Sequence, residues 1–124
     1  MKNFDIGKEL TTIILQNDDI TNLIDNKVFP LVANAGTTFP FVVYRRSSFS
    51  PRGDKDELSE VVGIDLAVIS NTYSQSVNLA NLIADTLLAV EDNDVIDYVK
   101  IVNMWEDFSE DTYIQKLSLD IYLK

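Results

Sequence analysis

Hydrophobic positions along this chain follow two rhythms. Phe4, Leu10, Ile13 and Ile14, then Ile20, Leu23 and Ile24, recur at spacings near three and four, predicting helix over residues 4–24 in two pieces. The break falls at Asn17-Asp18-Asp19, where a short polar side chain caps the second piece, with Asp18 or Asp19 as its start. Residues 27–32 read as a short strand, and Pro30 assigns it to an edge or a bend because proline cannot donate to a ladder. Residues 34–38 have turn composition. Residues 41–46 are β-branched and aromatic, hence a strand. The polar stretch 47–57, with Pro51 and Gly53, predicts an exposed hairpin loop. In 58–70, Val62, Ile64, Leu66 and Val68 alternate on one face of a second strand. Thr72 stands three residues before Gln75, a capping-box spacing that opens a helix. Val77, Ala80, Ala84, Leu87 and Leu88 form its apolar stripe, with Ile83 on the flank, and residues 91–94 end it in a turn.

Residues 95–108 and 113–123 predict two last strands around an acidic turn at Ser109-Glu110-Asp111. The final strand puts Tyr113, Leu117, Leu119, Ile121 and Leu123 on one face, and Thr112, Lys116, Ser118, Asp120 and Lys124 on the other. The expected fold is one α+β domain over residues 1–124, an antiparallel sheet of four to five strands with two helices packed on one face. Residues 41–44 and 99–105 are apolar on both faces of their strands, unlike a sheet with one face in water. Two helices cover one face only. A partner subunit or a long loop of the same chain is needed for the other. Trp105, a mid-strand aromatic among β-branched neighbours, is expected in the core, with a subunit contact as the alternative.

Composition then removes function classes. The 124 residues include no cysteine and no histidine, which excludes thiol catalysis, thiolate zinc sites and a Ser-His relay. Glycines at 7, 36, 53 and 63 are too scattered for a phosphate-binding loop. Asp92-Asn93-Asp94 begins like a calcium loop, but Ile96, Asp97 and Asn103 stand where a ligand, the turn glycine and the closing glutamate belong, so a solvated turn is the better account. No cofactor and no metal is expected. A net charge of −10 argues against gripping nucleic acid. The apolar runs are far shorter than the ~20 residues of a membrane span. Asp5 stands where a secretory signal would begin its apolar core, so a cytosolic origin is expected.

Charge is unevenly spread. Arg45, Arg46, Arg52 and Lys55, four of the ten basic residues, cluster around the polar loop, while residues 91–124 carry nine acids and three lysines. Such asymmetry suits head-to-tail contacts between copies, which close into rings, with simple solvation of both regions as the alternative. Arg45, Arg46, Phe49, Arg52 and Lys55 are the candidate subunit or partner interface. Arg52-Gly53-Asp54 spells an adhesion tripeptide, which reads here as a turn using Gly and Asp.

Residues 19–30 (DITNLIDNKVFP), 38–44 (TFPFVVY), 62–68 (VGIDLAV) and 71–73 (NTY), then the helix through Leu79-Ala80, follow one another as in small tail-completion proteins of long-tailed phages and prophages, which the chain resembles over roughly residues 10–123. The resemblance implies a small α+β ring protein, hexameric, at the head-proximal end of the tail tube. Its implied partners are copies of itself, the tail tube protein and head–tail connector proteins, with genomic DNA passing through unbound. No catalysis and no membrane are implied, and assembly takes place in the host cytoplasm. The matching motifs are core and turn positions, so no functional residue carries over. A head-side adaptor or stopper ring, a monomeric binding module and a small acidic hydrolase are the competing readings.

Overall fold

The computed structural model describes residues 5–51 and 60–124. Three helices, α1 (Ile6–Leu15), α2 (Asp18–Ile24) and α3 (Tyr73–Leu88), accompany five strands: β1 (Val28–Pro30), β2 (Phe41–Pro51), β3 (Glu60–Ser70), β4 (Ile96–Ser109) and β5 (Thr112–Leu123). The strands form one sheet in the order β1-β2-β3-β5-β4. All neighbours are antiparallel except β1 and β2, which run parallel. The fold is α+β, as expected, but the sheet is mixed and the first helical region counts as two helices.

One core lies between the helices and one face of the sheet. Ile6, Leu10, Ile13 and Ile14 of α1, Ile20 and Ile24 of α2, and Leu79, Ile83 and Leu87 of α3 are buried against Val42, Val62, Ile64, Leu66, Val68, Leu117, Leu119, Ile121 and Leu123. Burial of these branched side chains, each contributing about 1.5–3 kcal/mol, dominates the stability. The alternation expected in β3 and β5 is present residue for residue.

The second helical piece starts at Asp18, as expected. Its cap is Asn17, the residue before: the Oδ1 accepts from the Asp19 and Ile20 amides, while the Nδ2 donates to Thr86 Oγ1 at 2.9 Å. The amide thus caps α2 with its oxygen and cross-links it to α3 with its nitrogen. Three other local expectations need correction. Residues 47–51 are strand, not loop, because a bulge between Arg46 and Ser48 absorbs Ser47 and pairing with β3 resumes. The remainder of the expected loop, residues 52–57 with the Arg-Gly-Asp tripeptide, lies outside the described residues. The buried face of α3 is Ser76, Leu79, Ile83 and Leu87, whereas Leu88 is 53% exposed. Trp105 is 41% exposed rather than core, because β4 is the outermost strand and no helix reaches that side of it.

The Thr72 cap of α3 accepts from the Gln75 amide at 3.3 Å, matching the spacing that predicted it. Asn93 ends the turn after α3 by accepting from the Val95 and Ile96 amides, so the acidic run 91–94 is a solvated turn that launches β4. Glu110 and Asp111 both have positive φ, the two-residue hairpin geometry whose twist matches the flanking strands.

Gly7 sits where α1 crosses β2: a Cβ there would lie 2.5 Å from Tyr44 Cε2. Gly7→Ala favours an isolated helix by about 1 kcal/mol, yet here it is expected to lower stability by about 1 kcal/mol through overpacking. Urea denaturation checks the sign, and Tyr44→Leu in the same chain should recover the loss.

Candidate assembly surface

Cross-strand pairs place side chains on the same face of the sheet, so the register identifies what the face away from the helices presents. One row runs Phe29, Val43, Ala67, Lys116, Trp105; the next runs Phe41, Ile69, Ile114, Asp107. The rings of Phe29 and Phe39 both pack on Phe41, at 6.3 and 5.7 Å. A shallow cavity of 180 Å³ opens on this face, lined by Leu31, Val43, Ala67, Trp105 and Lys116 with the Arg45–Asp65 pair at its rim. Lys116 Nζ lies 5.9 Å from the Trp105 ring centroid, a cation–π contact. Phe29, Phe41, Val43, Ala67, Ile69 and Ile114 are half-buried by their sheet neighbours alone. The two-faced apolar pattern read from residues 41–44 and 99–105 therefore corresponds to a sheet face without a helical layer.

The predicted basic cluster is divided by this sheet. Arg45 is on the open face, 3.1 Å from Asp65, whose other oxygen accepts from Ser118 Oγ at 2.7 Å. That links β2, β3 and β5, and with Arg45 64% exposed the ion pair itself adds little. Arg46 and Phe49 pair with Ile64 and Val62, on the helix face; Phe49 is 38% exposed. Arg52 and Lys55 lie outside the described residues. Sequence reasoning missed other exposed apolar residues, Leu31, Val32, Met104 and Phe108, although the two-faced pattern in β4 was a signal for one end of them.

On the helix side, beyond the start of α3, Glu106 accepts from Gln115 Nε2 at 2.9 Å and from the Tyr73 hydroxyl at 3.4 Å. These bonds, Gln115 first, hold the Glu106 carboxyl below its ordinary value, while the bond to Glu106 holds the Tyr73 hydroxyl above its own. A lowered carboxylate contributes stability at neutral pH that is lost as the pH falls through the lowered value. The site is fully exposed, so the effect is local. An NMR titration should show Glu106 below its ordinary value, and Gln115→Ala should return it towards that value.

Among the described residues, no group of three or more acidic side chains is placed to hold a metal ion, and no helix is long and apolar enough to cross a membrane. The architecture, a mixed sheet with three helices on one face, is what the comparisons match. No family model and no curated protein matches the sequence. A chain of the virion of a native gene transfer agent particle superposes with a TM-score of 0.76 at 13% identity, covering 92% of this chain and 90% of that one. The fold is shared with a virion component. The gp17 protein of bacteriophage SPP1 matches with a TM-score of 0.63 at 13% identity, covering 98% of this chain and 91% of gp17. In both matches the likeness of fold extends over at least nine-tenths of each chain.

Proposed function

We propose that this chain is a structural protein of a phage or prophage particle: a tail terminator whose copies form a ring, hexameric by resemblance, on the head-proximal end of the tail tube. The observation that carries this reading is the match, over nine-tenths of both chains, to a gene transfer agent virion chain. The apolar open face and the exposed side chains along β4 support it, since a particle component must bury surface against neighbours. The ring stops tube growth and offers a surface for head–tail connector proteins. A net charge of −10 suits a ring around a DNA conduit, because an acidic lumen repels the phosphate backbone and lets the genome slide. Catalysis and cofactors have no part in this role.

Deleting the gene from the parent phage tests it. Tails of uncontrolled length, seen by electron microscopy and restored by the plasmid-borne gene, are expected. Normal-length tails detached from heads would transfer the protein to the head-side connector, and normal infectious particles would refute both roles.

A further inference from the structure

We infer that copies of this chain join edge to edge, with the Leu31–Val32 corner after β1 of one copy seated against Val102 and Met104 on the outer edge of β4 of the next. This rests on the ring reading above and names a contact for it. Leu31, Val32, Met104 and Val102, at 75, 74, 65 and 57%, are the four most exposed of the large hydrophobic residues among those described. Single exposed apolar side chains are ordinary on a protein surface. These four are distinguished by their positions.

The register sets their heights. Pro30, Tyr44, Leu66, Leu117 and Met104 form one row across all five strands. The next row is Arg45, Asp65, Ser118 and Asn103, and the bulged Val102 follows directly. Leu31 comes immediately after Pro30, and its amide donates to Tyr44 O at 2.8 Å. The two apolar pairs therefore stand at the same height on opposite edges of the sheet, Leu31 beside the open-face cavity and Met104 on the helix side next to Ala80 and Ala84 of α3. Strand direction agrees with a contact between them. Because β2–β3, β3–β5 and β5–β4 are all antiparallel, β4 runs opposite to β2 and to its parallel neighbour β1. A neighbouring copy rotated about an axis along the strands thus presents β1 antiparallel to β4 without turning over. Contact between different edges is head-to-tail, the kind that closes into a ring.

Charge agrees as well. Lys27 precedes Val28, and Asp107 lies in the row of Phe41, one step before that of Val42 and Val28, so a cation and an anion stand at equal height on the two edges. The Lys27 ammonium also donates to Thr38 O and Oγ1, at 2.9 and 3.0 Å, which leaves one of its three donors for the neighbour. Backbone pairing is not the glue. Pro30 has no N–H and its carbonyl accepts from the Val32 amide at 2.7 Å, while the Val28 amide donates to Asn26 O at 2.9 Å. On β4 the Met104 and Phe108 amides donate to the side chains of Asn103 and Asp107. Edges satisfied in this way resist indiscriminate strand pairing, leaving side-chain packing to choose the partner.

The test is light scattering on a size-exclusion column with three proteins: the unaltered chain, Leu31→Asp with Val32→Asp, and Val102→Asp with Met104→Asp. All four positions are exposed, and far-UV circular dichroism confirms that the variants fold. The unaltered chain is expected as a multi-subunit assembly and each double variant as a 14.0 kDa monomer. An equimolar mixture of the two variants is expected to give a heterodimer of twice that mass and nothing larger, since each brings one intact edge. Variants that assemble like the unaltered chain would overturn the proposed contact and leave the ring standing. A mixture that stays monomeric would overturn the pairing of these two edges. An unaltered chain that is monomeric at every concentration would overturn the ring and this contact together.

Discussion

Ile83→Ala is expected to lower the free energy of unfolding by about 3–4 kcal/mol, while Leu88→Ala, five residues on in the same helix, changes it by less than about 1 kcal/mol. Ile83 has no exposed surface and sits among the side chains of α1, α2 and the sheet, whereas Leu88 is 53% exposed. Hydrophobicity alone ranks them the other way, because Val77, Ala80, Ala84 and Leu88 make a stripe with Leu87 that leaves Ile83 on its flank. The helix is turned by one residue, about 100°, from that stripe. Leu79, Ile83 and Leu87 bring more apolar surface to the core than Val77, Ala80 and Ala84, and the turn that buries them also buries Ser76, a polar side chain with no exposed surface. Its hydroxyl donates to Tyr73 O at 2.7 Å and accepts from Gln115 Nε2 at 3.3 Å, so burial leaves no bond unmade. Equilibrium urea denaturation followed by circular dichroism measures both losses. With a typical stability of 5–15 kcal/mol, the Ile83 loss is a large part of the total.

What the sequence made legible was local. The Thr72 cap, the alternation of β5 and the Pro30 edge each follow from a few adjacent residues and a backbone rule, and each is where the pattern put it. What it concealed depends on residues distant in sequence. The bond from Asn17 to Thr86, which ties the cap of α2 to α3, joins residues 69 apart in the chain. Residues 47–51 look like a loop by composition, yet they form strand because residues 60–63 offer partners. Trp105 follows the apolar run of Val99, Ile101 and Val102, but those lie along its own strand, while depth depends on the layer above it. The candidate surface was legible by half. Apolar residues on both sides of β4 announced an uncovered sheet, but Leu31 and Val32 read as strand residues. Leu31 instead takes a φ of 65°, which turns the chain away from the sheet and leaves both side chains in solvent.

Gly63→Val should cost about 2–3 kcal/mol, despite valine's preference for strands. Gly63 pairs with Ser48 on one side and Asp120 on the other, just past the bulge that makes two serines of β2 face one residue of β3. A Cβ at Gly63 would collide with Ser48 Oγ and lie 2.8 Å from Ser47 Oγ. The hydroxyls can rotate away from a single methyl, so Gly63→Ala should cost clearly less than the β-branched change. If the serine hydroxyls are the obstacle, Ser47→Gly with Ser48→Ala should restore about half of the loss caused by valine, a coupling that a double-mutant cycle isolates. Full additivity would mean that the strain arises elsewhere. The consequence reaches the proposed assembly surface. Ser47 is the extra residue that puts Phe49 opposite Val62, and displacing the bulge would shift the outer half of β2, next to Arg45 and Arg46, relative to the corner at Leu31. Gly63→Val is therefore expected to lower the assembled fraction as well as the stability, while Gly7→Ala, whose strain falls between α1 and Tyr44, lowers stability alone.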